Sequence, residues 1–214
     1  MMTVSEPATP RAWTADDPRR KRQGEKRLAL LEAAHVVFLA NGYAGTSMQA
    51  VADRAGVSKM TLYRHFADKE ELFLAMFFEQ CMRSRDRATV EPARDAPEAI
   101  AALEEFGRGF TRAFTHPAML ALFRMLIGET GRFPQLGKTF YEHGPRQEIA
   151  DLEVILSGLL PPAVVHGRAQ AFFYLALGDA YHQLLLGSVR DESSTVALEV
   201  QIREAARLVV AKPV

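Results

Sequence analysis

Apolar positions recur at helical spacing along most of the chain. Leu31, Ala34 and Phe38 stand at i, i+3 and i+7, which gives a first helix one apolar face. Asn41-Gly42 ends it, because glycine takes the left-handed conformation at a helix end. Thr46 is expected to open a second helix, with Gln49 three residues on completing a capping box. Met48, Val51, Ala52 and Ala55 form its buried stripe. After the break at Gly56-Val57, Ser58 caps a short third helix whose inner face is Leu62 and Phe66. Asp68 and Glu71 form a second capping box, heading a fourth helix that buries Leu72, Phe73, Met76 and Phe77.

Beyond Pro92 and Pro97, a fifth helix carries Leu103, Phe106, Phe110 and Phe114 on one side. Pro117 suits the first position of a sixth, which runs to Thr130-Gly131. A kinked stretch reaches Gly144-Pro145, and a helix then runs from about Gln147 to Leu159, where Pro161-Pro162 stops it. The last two helices run from about Val164 to Leu186 and from Ser194 to Val210. No strand-like alternation and no internal repeat interrupts this series, so the fold class is all-α. Three parts are expected: a disordered basic tail over 1–23, a three-helix helix-turn-helix domain over 24–67, and a larger helical domain over 68–214.

The charge total is balanced, with 26 Lys/Arg against 26 Asp/Glu. That excludes an indiscriminate polycation and leaves a local basic face open. The charges are in fact divided. Met1–Phe66 holds ten basic and six acidic residues, so the remainder carries the compensating acidic excess. A single cysteine, Cys81, rules out an internal disulfide, and the six histidines show no metal-ligand spacing. No metal and no cofactor are expected. Neither a nucleophile–base pair nor a phosphate loop stands out, so catalysis is not expected, although an all-α enzyme or binding protein remains the competing class. Gly, Asp, His or Arg interrupts every apolar run, and charges stand where a signal peptide needs an apolar core. A reduced, cytoplasmic protein without a membrane partner is expected.

Two short helices joined by a glycine-containing turn make a helix-turn-helix pattern, a weak signal by itself. The outward face of the second helix strengthens it. With Leu62 and Phe66 inside, Lys59, Met60, Thr61, Tyr63 and Arg64 remain outside. Cations, a hydroxyl, a phenol and an apolar contact are the groups that grip phosphates and touch base edges.

The run Ala33-Ala34…Phe38…Gly42-Tyr43…Thr46-Ser47…Val51-Ala52…Ala55-Gly56-Val57-Ser58-Lys59-Met60-Thr61-Leu62-Tyr63-Arg64-His65-Phe66…Lys69-Glu70…Leu72-Phe73 resembles the DNA-binding domain of TetR-family regulators over about Arg27–Met76. The resemblance implies major-groove or groove-edge roles for Lys59, Thr61 and Arg64. It also implies backbone contacts by Tyr63, His65 and Lys69. Thr46, Ser47 and Ser58 would offer hydroxyls and helix N-termini to phosphates. Met60 departs from the pattern, since many members carry a small residue there, and an apolar contact with a thymine methyl becomes available. Lys26 and Arg27, expected in the first turn of helix one, oppose the helix dipole, a conflict that a phosphate partner would relieve.

The same resemblance implies a C-terminal half that dimerises and binds a small effector. The helix over Val164–Leu186 is apolar nearly all round, and the last helix offers a stripe of its own. Phe172, Leu184, Leu185, Leu198, Ile202, Ala205 and Val209 are the expected dimer interface; two interior helices of a monomer would read similarly. For the pocket, the candidates are Phe106, Phe110, Phe114, Phe123, Phe140 and Phe173, with Arg124, Tyr141, Asp179 and His182 as polar orienters. A plain core would give the same aromatic stripe, and Asp179 and His182 could simply bond each other. Glu129-Thr130-Gly131-Arg132-Phe133-Pro134…Phe140-Tyr141…Gly144-Pro145 is similar to the AefR-like branch of the family. The implied partners are a double-stranded DNA operator, a second copy of the chain and a hydrophobic small molecule.

Overall fold

A computed structural model describes residues 18–83, 90–188 and 192–211. Its helices, in chain order, are α1 (Pro18–Gly45), α2 (Met48–Ala55), α3 (Lys59–Tyr63), α4 (Lys69–Arg83) and α5 (Ala96–Thr115). They continue with α6 (Pro117–Glu129), α7 (Pro134–His143), α8 (Pro145–Ser157), α9 (Pro162–Leu186) and α10 (Glu192–Val210). The described residues contain no strand.

Proline opens six of these helices or stands in their first turn, where its missing amide hydrogen costs nothing and its fixed φ is already helical. That effect corrects the expected tail. Pro18 starts α1, so residues 19–23 are helical backbone, and residues 1–17 lie outside the described part. Lys26 and Arg27 therefore stand in the third turn, and the dipole conflict expected for them disappears.

The second helix also starts one residue later than expected. Ser47 is its cap, accepting the Ala50 amide at 3.1 Å, and Gln49 bonds to Asp53 in place of reaching back. Asp68 and Glu71 do form a capping box, with Glu71 accepting the Ala67 amide at 2.7 Å and Asp68 the Glu71 amide at 2.8 Å.

The core has two clusters. One gathers α5, α8, α9 and α10 around Phe110, Leu152, Phe172 and Ile202. Gly107 lets α5 and α10 approach closely, since a Cβ there would stand 2.7 Å from the Ile202 side chain. The other joins α1–α4 to α6 and α7, through Phe38, Leu62, Phe73, Phe77, Met119, Leu122, Leu136 and Phe140. The expected boundary at 67/68 thus crosses a continuous core. Helix α6 lies between the clusters, giving Leu120 to one and Met119, Leu122 and Leu126 to the other.

Among the described residues, α1 from Arg22 to Gly45 has the length and composition of a membrane span. Its apolar side (Leu30, Leu31, Ala34, Phe38) is buried in the second cluster, and Glu25, Lys26, Arg27 and Glu32 line the exposed side. It is built as an amphipathic core helix.

Candidate nucleic-acid interface and effector region

The turn between α2 and α3 depends on Gly56, whose φ of 67° is left-handed and whose amide closes the end of α2. Ser58 then caps α3, accepting the Thr61 amide at 3.2 Å. Leu62 and Phe66 are fully inside, so α3 can present only its other face. That face holds Lys59, Met60, Tyr63 and Arg64, all exposed, with Met60 at 71%. The Lys59 ammonium lies 5.8 Å from the Tyr63 ring centre. Thr61 is half-buried and shares a 2.8 Å hydroxyl hydrogen bond with Ser58. His65, also half-buried, leans against Phe66. Ser47 and Lys26 are exposed, and the Arg27 guanidinium sits 4.6 Å above the Phe66 ring, at the end of α3. The structure therefore gathers most of the candidate DNA-contacting residues around α3.

Two candidates are placed differently. Thr46 is only 3% exposed, and its hydroxyl donates to the Gly42 carbonyl at 2.7 Å. It closes the end of the first helix segment and has no hydroxyl to offer a phosphate. Lys69 donates to the Tyr43 carbonyl at 2.9 Å, with its ammonium 4.5 Å from the Tyr43 ring centre. Its charge tethers α4 to the end of α1. Burial, aided by Glu70, Asp68 and Glu129, pushes the Tyr43 phenol up to about 12.

In the C-terminal half, most of the expected pocket aromatics are close-packed core. Phe110 stacks on Phe173 at 5.4 Å, and Phe106 and Phe114 flank Phe110 at 5.9 and 6.1 Å. Phe123 and Phe140 meet edge to face at 5.3 Å, nearer to α4. Of the expected orienters, Arg124 donates to the Leu184 and Leu185 carbonyls, both at 2.6 Å, and so caps the end of α9. Asp179 accepts from Gln183, and His182 bonds the Gly178 carbonyl at 2.7 Å. Both are exposed, and neither pairs with the other. Tyr141 is exposed and close to Tyr174, whose phenol pKa is raised by burial first and by Tyr141 second.

The expected interface needs a similar correction. Phe172, Leu198, Ile202, Ala205 and Val209 are buried within the chain, and Leu184 and Leu185 are half-buried. The exposed apolar side chains of these two helices are Tyr174, Leu175 and Leu186 on α9 and Val196, Val200 and Leu208 on α10. Asp179, His182 and Leu186 share one stripe of the later part of α9, at i, i+3 and i+7.

Helix α9 is broken at Gly178 (φ 45°, ψ −151°), a conformation open essentially to glycine alone. Shortly after the break stands Tyr181, a residue outside the candidates expected from the sequence. It is 5% exposed, and its hydroxyl has no hydrogen-bond partner among the described residues.

Comparison with known proteins agrees with this arrangement. Residues 30–76 match the family described as "Bacterial regulatory proteins, tetR family". Residues 101–212 match "AefR-like transcriptional repressor, C-terminal domain". The chain is 51% identical over 59 residues to the transcriptional activator FasR of Mycolicibacterium smegmatis, covering 28% of this chain and 25% of FasR. It is 34% identical over 85 residues to the repressor KstR of Rhodococcus jostii, covering 40% of each. These matches span well under two thirds of the curated relatives. Solved structures match over far more. The flavonoid-responsive regulator FrrA is 31% identical, with 87% of this chain and 96% of FrrA covered at a TM-score of 0.66. A TetR-family regulator of Mesorhizobium loti is 25% identical, with 88% and 96% covered at 0.65. The chain belongs to the TetR family of DNA-binding transcriptional regulators, with an AefR-like C-terminal domain.

Proposed function

We propose that the protein is a cytoplasmic repressor that binds a palindromic operator as a homodimer and leaves it when a small molecule occupies the C-terminal domain. The observation that carries this reading is the α3 face. Lys59, Met60 and Tyr63 of α3, with Arg64 at its C-terminal cap, are exposed together. Lys26, Arg27, Ser47, Ser58, Thr61 and His65 surround it as phosphate-facing positions. The basic excess before residue 67 draws this end toward DNA, and the acidic remainder confines contact to it.

Dimerisation is supported by the exposed apolar side chains on α9 and α10, and a lone helix-turn-helix reads too few base pairs. Release is supported by the shared core. Because α6 and α7 are packed into the same cluster as α1–α4, a ligand that favours a different α6 position changes the spacing of the two recognition helices. The flavonoid-responsive character of FrrA supports an aromatic effector.

The test is a mobility shift with the duplex upstream of the protein's own gene. Binding should weaken steeply with salt, and Lys59→Ala with Arg64→Ala, which removes two cations from each protomer of the dimer, should lower the salt slope by up to about 4. A duplex scan with no salt-sensitive shift would refute the reading. The match to the activator FasR supports a second reading, in which the bound protein recruits transcription. A reporter that falls on deletion of the gene would favour it.

A further inference from the structure

The described residues leave few buried polar atoms without a hydrogen bond, and the Tyr181 hydroxyl is one of them. A buried, unpaired hydroxyl costs about 1–3 kcal/mol, so its retention calls for an explanation. Its surroundings are aromatic. Phe114 of α5 and Phe123 of α6 meet the Tyr181 ring edge to face at 6.3 and 6.1 Å. The ionisable groups close enough to influence it are Cys81 of α4 and Arg124 of α6. Arg124 is already committed to the carbonyls that end α9. The junction thus offers aromatic walls, one free donor and no uncommitted charge.

The position of this junction matters as much as its chemistry. Phe123 packs against both core clusters. From Tyr181, ring contacts run through Phe123 (6.1 Å), Phe77 (5.9 Å), Phe73 (6.4 Å) and Tyr43 (5.2 Å). Tyr43 lies four residues before the cap of α2. Phe123 and Cys81 beside this junction are half-buried, whereas Tyr181 itself is buried. The Gly178 break sets the segment bearing Tyr181 apart from the first part of α9.

We propose that Tyr181 is the hydrogen-bond donor of a small-molecule site where α4, α5, α6 and α9 meet, and that the site takes a neutral aromatic ligand bearing a carbonyl or similar acceptor. This deepens the effector reading above and rests on it only for the consequence at DNA. Burial raises the Tyr181 pKa, so the phenol stays protonated and donates at every physiological pH. Ligand stacking against Phe114 and Phe123 supplies affinity, and the hydroxyl supplies selection.

The test uses shape-matched pairs that differ in the acceptor: acetophenone against α-methylstyrene, and fluorenone against fluorene. Thermal shift and titration calorimetry are run on the full-length protein without DNA. At least one ketone should bind wild type about three- to tenfold more tightly than its hydrocarbon partner. Tyr181→Phe should abolish that preference while leaving the ligand-free Tm unchanged or raised, because the unpaired hydroxyl is gone. Phe114→Leu, which trims the wall and keeps the donor, should weaken both members of a pair and retain the preference. The proposal is overturned if neither ketone binds wild type, if Tyr181→Phe keeps the preference, or if it lowers the ligand-free Tm. A ketone that binds through Tyr181 without displacing the operator duplex would leave this site standing and refute the effector reading instead.

Discussion

Lys69 donates to the backbone carbonyl of Tyr43 at 2.9 Å and rests its charge on the same tyrosine's ring, 4.5 Å from the centre. The two residues are 26 positions apart, and the contact pins the start of α4 to the end of α1. Phe133, from the loop between α6 and α7, meets Tyr43 edge to face at 5.1 Å. The C-terminal half therefore touches the recognition domain just before the α2 cap. Lys69→Ala should cost about 1–2 kcal/mol, from the charged hydrogen bond and the cation–π contact. That lowers Tm by about 2–8 °C. Operator affinity should fall with the salt slope unchanged, whereas loss of a direct phosphate contact from both protomers of the proposed dimer would reduce the slope by about 2.

Thr46 and Ser47 are neighbours with opposite duties. Thr46→Val leaves the Gly42 carbonyl without its 2.7 Å partner, at about 1–2 kcal/mol, and should be read as lost stability. Ser47→Ala removes the cap on the Ala50 amide, at about 1 kcal/mol, and also takes an exposed hydroxyl from the proposed DNA face. Denaturant titration with parallel DNA binding separates them: at matched stability, only Ser47→Ala should lose additional affinity.

The proposed dimer face and the core of α10 can be distinguished by substitution. Val200→Asp places a charge on the exposed stripe and should shift the protein toward monomer in light scattering, with weaker operator binding. Ile202→Ala empties core beside Gly107 and should destabilise by about 2–5 kcal/mol without selectively dissociating the dimer.

Gly178 is the most constrained residue of α9. Gly178→Ala demands a backbone conformation that other residues avoid, and its Cβ would overlap the Gln201 side chain. A loss of about 1–3 kcal/mol is expected from the backbone alone. Gln201→Ala combined with Gly178→Ala should recover little of it, because the overlap is with a flexible side chain and the φ constraint persists.

Tyr43 sets an alkaline limit. Its phenol pKa lies above the unfolded value of 10.0, at about 12 in the folded chain. The folded state holds that proton more tightly, so the contribution is fully present below pH 10 and is lost as pH rises toward 12. Urea midpoints measured across that range should fall less steeply in Tyr43→Phe than in wild type.

Much of the molecule was legible in the chain. The apolar spacing, the Asp68–Glu71 box and the proline at the head of α6 located the helices, because these signals act within one or two turns. The recognition helix was legible for the same reason: burying Leu62 and Phe66 leaves Lys59, Met60, Tyr63 and Arg64 outside on any fold. The candidates that moved were those whose role depends on distant partners. Arg124 finds its carbonyls 60 and 61 residues away, and Lys69 finds Tyr43 across 26. Hydrophobicity marks the faces that must be buried without saying by whom, so the expected interface and the core of α10 read alike in the sequence. Ile202 and Leu198 are covered by the chain's own α5 and α9, and Val196 and Val200 stay exposed.

By itself, the sequence determined an all-helical fold with a helix-turn-helix near its start and the side chains that α3 leaves exposed, since local periodicity and capping are short-range physics. The tertiary structure alone decided which hydroxyls and cations are spent inside the molecule, which apolar stripe faces out, and that Tyr181 keeps an unused donor. Those outcomes depend on what packs opposite each side chain, and residues far apart in the chain determine that.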